Sequence, residues 1–136
     1  MKRSTLFISM IVLVSGFWSA TITAQDASPP QREYQGIPYM SGGIGEEERA
    51  QFLSAAPTFN LKLVFAEKTG SYLANVAVSI ADGKGRKVLE LPAEGPLLLA
   101  KLPAGDYRVT VVANGQEQVR NTKIPASGQR ALMFRW

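Results

Sequence analysis

The side chains able to move protons or attack carbon are few. The chain has 136 residues and neither histidine nor cysteine. The usual zinc and copper ligand sets, and the Ser-His and Cys-His couples, cannot be assembled from it. Acid and base work would then fall to carboxylates, which act as pairs facing one cleft. Glu46, Glu47 and Glu48 are adjacent and point around a single helical turn, while Glu90, Glu94 and Asp106 fall in separate loops. No spacing brings two of them together, so they read as surface carboxylates. The expected catalytic, cofactor and metal sets are therefore empty.

Two glycine-bearing stretches offer ligand chemistry and fall short of it. Ser41-Gly42-Gly43-Ile44-Gly45 precedes a helical segment, and helix-start amides do hold phosphate. It lacks P-loop spacing and the lysine, and the three glutamates that follow repel an anion. Asp82-Gly83-Lys84-Gly85 presents one carboxylate where an EF-type calcium loop needs several oxygens, so it reads as a hairpin turn. The basic residues Lys84, Arg86 and Lys87 beside that turn read as solvated charges that discourage edge pairing. The formal charge is +4, of which Lys2 and Arg3 supply two units. What remains is too small and too scattered for a nucleic-acid partner.

Met1 to Ala24 combines Lys2 and Arg3, a mostly apolar run from Leu6 to Trp18, and a small residue at its end. This is the pattern of a cleavable secretory signal, with the mature chain starting near Gln25. The run is shorter than the roughly 20 residues needed to span a bilayer. A periplasmic or secreted location follows, with no stable membrane span after cleavage. An oxidising compartment without cysteine leaves the domain to stand on its apolar core.

Gln25 to Ser41 carries Pro29, Pro30 and Pro38 and shows no periodicity. It reads as an extended linker whose removal leaves the domain folded. Its apolar residues Tyr34, Ile37, Tyr39 and Met40 are candidate partner contacts. A short helix is expected from Gly45 to Ala55, with acidic residues at the positive end of its dipole, Ala50, Leu53 and Phe52 as an apolar stripe, and Pro57 as its end.

From Thr58 onward the text is all-β. Leu61, Leu63 and Phe65 alternate, as do Val76, Val78 and Ile80, and each set marks a core-facing strand. Further strands are expected over Arg86 to Leu91, Leu97 to Ala100, Tyr107 to Ala113, Gln116 to Ile124 and Gln129 to Trp136. The run Leu97-Leu98-Leu99-Ala100 suits a strand covered on both faces, or an edge buried by the N-terminal segment. Gln116 to Ile124 is polar and is placed near an edge. About seven strands with turn signals every 8 to 12 residues or so indicate an antiparallel two-sheet sandwich. The expected organisation is a signal over 1–24, linker and helix over 25–58, and the sandwich over 59–136. The ending Leu132-Met133-Phe134-Arg135-Trp136 also suits a membrane-barrel strand, but the strands are too short and too charged for a barrel.

Leu102-Pro103-Ala104-Gly105-Asp106-Tyr107-Arg108-Val109-Thr110-Val111 organises this text. Pro103 and Gly105 break one strand, and Tyr107, Val109 and Val111 start the inner face of the next. Tyr107 is expected to tie the corner, ring inward and hydroxyl bonded to backbone. The motif Leu102, Pro103, Gly105, Tyr107 resembles the corner of prealbumin-like (transthyretin-like) domains, above all the carboxypeptidase regulatory-like modules. The resemblance covers roughly Asn60 to Trp136 and implies an immunoglobulin-like sandwich in a small exported bacterial protein. The hydroxyisourate hydrolases share the prealbumin-like fold, but their histidines and Tyr-Arg-Gly-Ser ending have no counterpart here, so no activity carries over.

The function these readings imply is a non-catalytic exported binding module. It would recognise a protein, peptide or glycan through a sheet edge or the loops at one end, with a homodimer allowed. A structural, envelope-associated domain is the second reading, and a hydrolase built on carboxylates alone is the third.

Overall fold

The computed structural model describes residues 31–136. The expected signal, Met1 to Ala24, and the start of the expected linker lie outside the described residues. Among the described residues nine strands form two sheets: β1 (Arg32–Tyr34), β2 (Ile37–Gly42), β3 (Leu61–Ala66), β4 (Ala77–Asp82), β5 (Lys87–Pro92), β6 (Leu97–Ala100), β7 (Gly105–Ala113), β8 (Gln116–Ile124) and β9 (Arg130–Arg135). One sheet has the order β1-β2-β6-β3-β9 and the other β5-β4-β7-β8. The fold is an all-β sandwich with one short helix, α1 (Glu46–Ala55). All seven strands expected from alternation are present.

The expected linker is corrected by the structure in its described part. Residues 32–42 form a hairpin closed by Gln35 and Gly36, both with positive φ, and β2 pairs with β6 from Tyr39 opposite Ala100 to Gly42 opposite Leu97. A two-residue turn of this kind matches the twist of its strands. The sandwich therefore begins near Arg32 and not at residue 59.

The pairing is also not wholly antiparallel. β9 runs parallel to β3, from Leu61 opposite Arg130 to Ala66 opposite Arg135. The chain crosses from the four-stranded to the five-stranded sheet between β8 and β9, so β9 enters beside the start of β3 instead of folding back on β8.

The main core lies between the sheets. Leu61, Leu63 and Phe65 from β3, Leu98 from β6 and Phe134 from β9 meet Val78, Ile80, Leu89, Val109 and Val111 from the other sheet. Each such side chain removed from water contributes about 1.5–3 kcal/mol before entropy. Phe65, Phe134 and Trp136 pack as a trio, with ring centroids 6.1–6.4 Å apart.

A second core explains the continuous apolar run of β6. Leu98 and Ala100 point into the sandwich, while Leu97 and Leu99 point outward beneath α1, packing with Met40, Phe52, Ala56 and Phe59. Both faces of β6 are covered, as the run implied. The stripe expected on α1 is corrected: Phe52 alone among α1 residues is fully buried, whereas Leu53 is 61% exposed and Ala50 is exposed. The helix ends at Ala55 as expected, and Pro57 lies in the 3-10 turn that follows, Ala56–Thr58.

Candidate functional site

The corner between β6 and β7 carries the chain from one sheet to the other, and the residues singled out there do come together. The Tyr107 hydroxyl donates to the Pro103 carbonyl oxygen at 2.6 Å, and its ring is 7% exposed. Gly105 has a φ of 153°. Leu102 is buried, and its N–H and C=O are both held by the Asn60 side chain. Burial, and after it the charge of Asp82, push the Tyr107 hydroxyl above its ordinary pKa.

On this rigid corner sits a cleft of about 730 Å³. It is lined by the β4–β5 turn, the start of β7, the end of β8 and Arg130 from β9. The turn is stiff because Asp82 organises it. Its Oδ1 accepts from the N–H groups of Lys84 (2.9 Å) and Arg86 (3.0 Å), and Oδ2 accepts from Arg86 Nε at 3.2 Å. The Arg86 N–H is the chief reason the Asp82 carboxyl lies below the ordinary carboxylate range. A β-bulge between Ile80 and Ala81 leads into this turn.

Strand register supplies the charged groups. Ala81 lies opposite Arg108, Arg108 opposite Asn121, and Asp106 opposite Lys123. Arg108 donates through Nε to Asn121 Oδ1 at 3.4 Å, and Arg130 through Nε to Thr122 Oγ1 at 3.3 Å. Both guanidinium groups are thus steered by neutral acceptors. The ion pairs among the described residues join Arg32 to Glu94, Arg86 to Asp82 and Lys87 to Glu90. Arg108, Lys123 and Arg130 take part in none of them. A guanidinium is the side chain best suited to a carboxylate or another oxyanion.

Two carboxylates, Asp82 and Asp106, line the same cleft. Paired acid–base chemistry needs one carboxyl held protonated. Asp82 is pushed the other way and spends its oxygens on the turn. Those same donors occupy the oxygens that a calcium ion would need. Among the described residues no three acidic, histidine or cysteine side chains gather as a metal site.

Of the candidate partner contacts Tyr34, Ile37, Tyr39 and Met40, only Met40 is fully buried. Tyr34, Ile37 and Tyr39 pack against the main core, and Met40 is 3% exposed beneath α1. A smaller, more apolar hollow of about 250 Å³ lies between Ile44, Tyr72 and Pro96, with Arg49 5.2 Å above the Tyr72 ring.

Sequence reasoning missed Arg108, Asn121, Lys123 and Arg130 as a group. The alternation of β8 does place Asn121 and Lys123 on one face, and it is a usable signal. Arg130 comes from the other sheet, and no local pattern places it there. No helix among the described residues is long and apolar enough to cross a membrane. Compared with known proteins, the chain matches no family model and no curated protein.

Proposed function

We propose that this chain is a non-catalytic exported binding module of the carboxypeptidase regulatory-like kind, acting in the periplasm or outside the cell. Its recognition surface is the cleft at the β4–β5 end of the sandwich, together with the adjoining edge of β8. The observation that carries this reading is the set Arg108, Lys123 and Arg130, three cations in one cleft with no ion-pair partner among the described residues. All three line one concave site at the end of the sandwich, Arg108 and Lys123 from the outer face of the four-stranded sheet and Arg130 from beside the inward-facing Thr122.

The test uses the mature chain from Gln25, passed through size exclusion with light scattering, alone and after incubation with an envelope extract. The expected result is a monomer that retains a defined component. Arg108→Glu with Lys123→Glu should abolish retention, and Glu90→Gln on the distant strand β5 should not. A stable self-assembly that retains nothing would overturn the reading in favour of a structural envelope domain.

A further inference from the structure

The free edge of β8 carries more information than the cleft alone. β8 spans nine residues and pairs with β7 alone among the described residues, without a bulge, from Gly105 opposite Ile124 to Ala113 opposite Gln116. The two-residue turn Asn114-Gly115, with φ of 52° and 74°, closes this ladder. In such a hairpin the residues flanking the turn exchange main-chain bonds, and every second residue after them does likewise. Gln116, Gln118, Arg120, Thr122 and Ile124 therefore bond to β7. The N–H and C=O groups of Glu117, Val119, Asn121 and Lys123 point away from it, toward solvent.

The side chains at these four positions share the outer face of the sheet. They read acidic, apolar, polar and basic in order, with Arg108 beside Asn121 at 3.4 Å and Val119 48% exposed. Arg120 is not part of this display, because its guanidinium turns inward over the Phe134 ring at 4.8 Å. Edges guarded against aggregation are short, bulged, or carry charged side chains or proline; β8 is long and unbulged. This one has a graded pattern that admits one complement and repels its reverse.

We infer that β8 accepts an extended acidic peptide as an added antiparallel strand. An acidic residue of the peptide would lie opposite Lys123, a second opposite Asn121 and Arg108, an apolar one opposite Val119 and a basic one opposite Glu117. Cross-strand neighbours of this kind sit about 4.5–5.5 Å apart at Cβ, close enough for each pair to contribute. Main-chain bonds supply affinity and the alternating side chains supply selectivity. An acidic glycan fits less well. The sole aromatic ring lining the cleft, Tyr107, is buried and offers no stacking face, while the main-chain donors along the edge match a peptide.

This inference rests on the binding-module reading, and its experiment separates the two. The probe is a labelled, end-blocked peptide Thr-Glu-Thr-Asp-Thr-Val-Thr-Lys-Thr, titrated with the mature chain and followed by fluorescence anisotropy. Binding should weaken with added salt, and Lys123→Gln or Arg108→Gln should each weaken it roughly tenfold. N-methylation of the peptide amides that face β8 should abolish binding. Amide exchange should slow at Val119 and Asn121 when the peptide is bound. Equal binding of the N-methylated peptide, or of a version with Gln and Asn for its acids, would overturn the strand-addition inference. So would failure of the peptide alongside saturable, Arg108-dependent binding of polygalacturonate, an outcome that keeps the module reading. If neither probe binds and the envelope extract retains nothing, both fall.

Discussion

The side-chain amide of Asn60 holds both main-chain groups of Leu102. It donates to the carbonyl oxygen at 2.5 Å and accepts from the N–H at 2.8 Å. Asn60 precedes β3 and Leu102 begins the corner into β7, so one side chain acts as a segment of strand where no strand is available. Its own carbonyl oxygen accepts from the Arg130 N–H at 2.8 Å, which brings in the start of β9. Three elements are tied at one residue. Asn60→Ala leaves two partly buried groups without partners and should lower unfolding free energy by about 1–3 kcal/mol in urea titration. Asn60→Asp, which cannot donate, should also be destabilised. A variant as stable as the parent would show that water replaces the amide.

The Tyr107 hydroxyl locks the same corner from the other side. Tyr107→Phe keeps the ring and loses the 2.6 Å bond to Pro103, so it should cost about 1 kcal/mol. Tyr107→Ala should cost about 3–5 kcal/mol through the cavity it opens. Because the hydroxyl's pKa is raised in the fold, the fold favours the neutral form. That contribution is complete below the unfolded value of about 10 and disappears as pH rises through the folded value. Melting temperature should fall as pH climbs past 10, and Tyr107→Phe should flatten that limb. Equal alkaline slopes in the two proteins would contradict this assignment.

Gly95 lies against the backbone of Gly42 so closely that a Cβ would come far inside van der Waals contact with the Gly42 carbonyl oxygen. The loop into β6 and the end of β2 are packed with no room between them. Gly95→Ala should destabilise by about 1–3 kcal/mol. Gly83→Ala, where the nearest atom beyond the adjacent residues would be 3.8 Å from the new Cβ, should change stability by no more than about 0.5 kcal/mol. Parallel thermal melts of the two variants check the contrast.

Removal of the N-terminal segment should have two outcomes, depending on where the cut falls. A chain beginning at Gln31 retains every described element and should melt like the mature protein. A chain beginning at Gly43 loses β1 and β2, strips β6 of one partner and removes Met40 from the second core. It should show a lower melting temperature and exposed apolar surface by dye binding. Equal melting of the two chains would mean that the hairpin is dispensable.

Much of the fold is legible because alternation is local. Leu61-Lys62-Leu63-Val64-Phe65 can bury one face only as a strand, and Asn114-Gly115 closes a two-residue hairpin through left-handed backbone that these two residues tolerate. The β1–β2 hairpin was harder to read. Its turn is Gln35-Gly36, a weaker signal than Asn-Gly, and Pro38 interrupts the strand pattern. Pro38 is tolerated at the end of the β2–β6 ladder, where its carbonyl oxygen still accepts from the Lys101 N–H at 2.9 Å. Leu53 misled for a different reason: apolar residues in a ten-residue helix do not reveal which face meets a sheet.

By itself the sequence determined seven of the nine strands, the turns between them, that the corner at Leu102–Tyr107 feeds a core strand, and that the chain has no histidine or cysteine. These follow from the identities of neighbours a few residues apart, where steric preference and burial periodicity act. Tertiary structure alone decided that β9 runs parallel to β3, that residues 32–42 complete a sheet, and that Arg130 reaches the cleft lined by Arg108, Asn121 and Lys123. Those relations depend on how the chain crosses between two sheets. Long-range packing selects that route, and residue-to-residue periodicity carries no record of it.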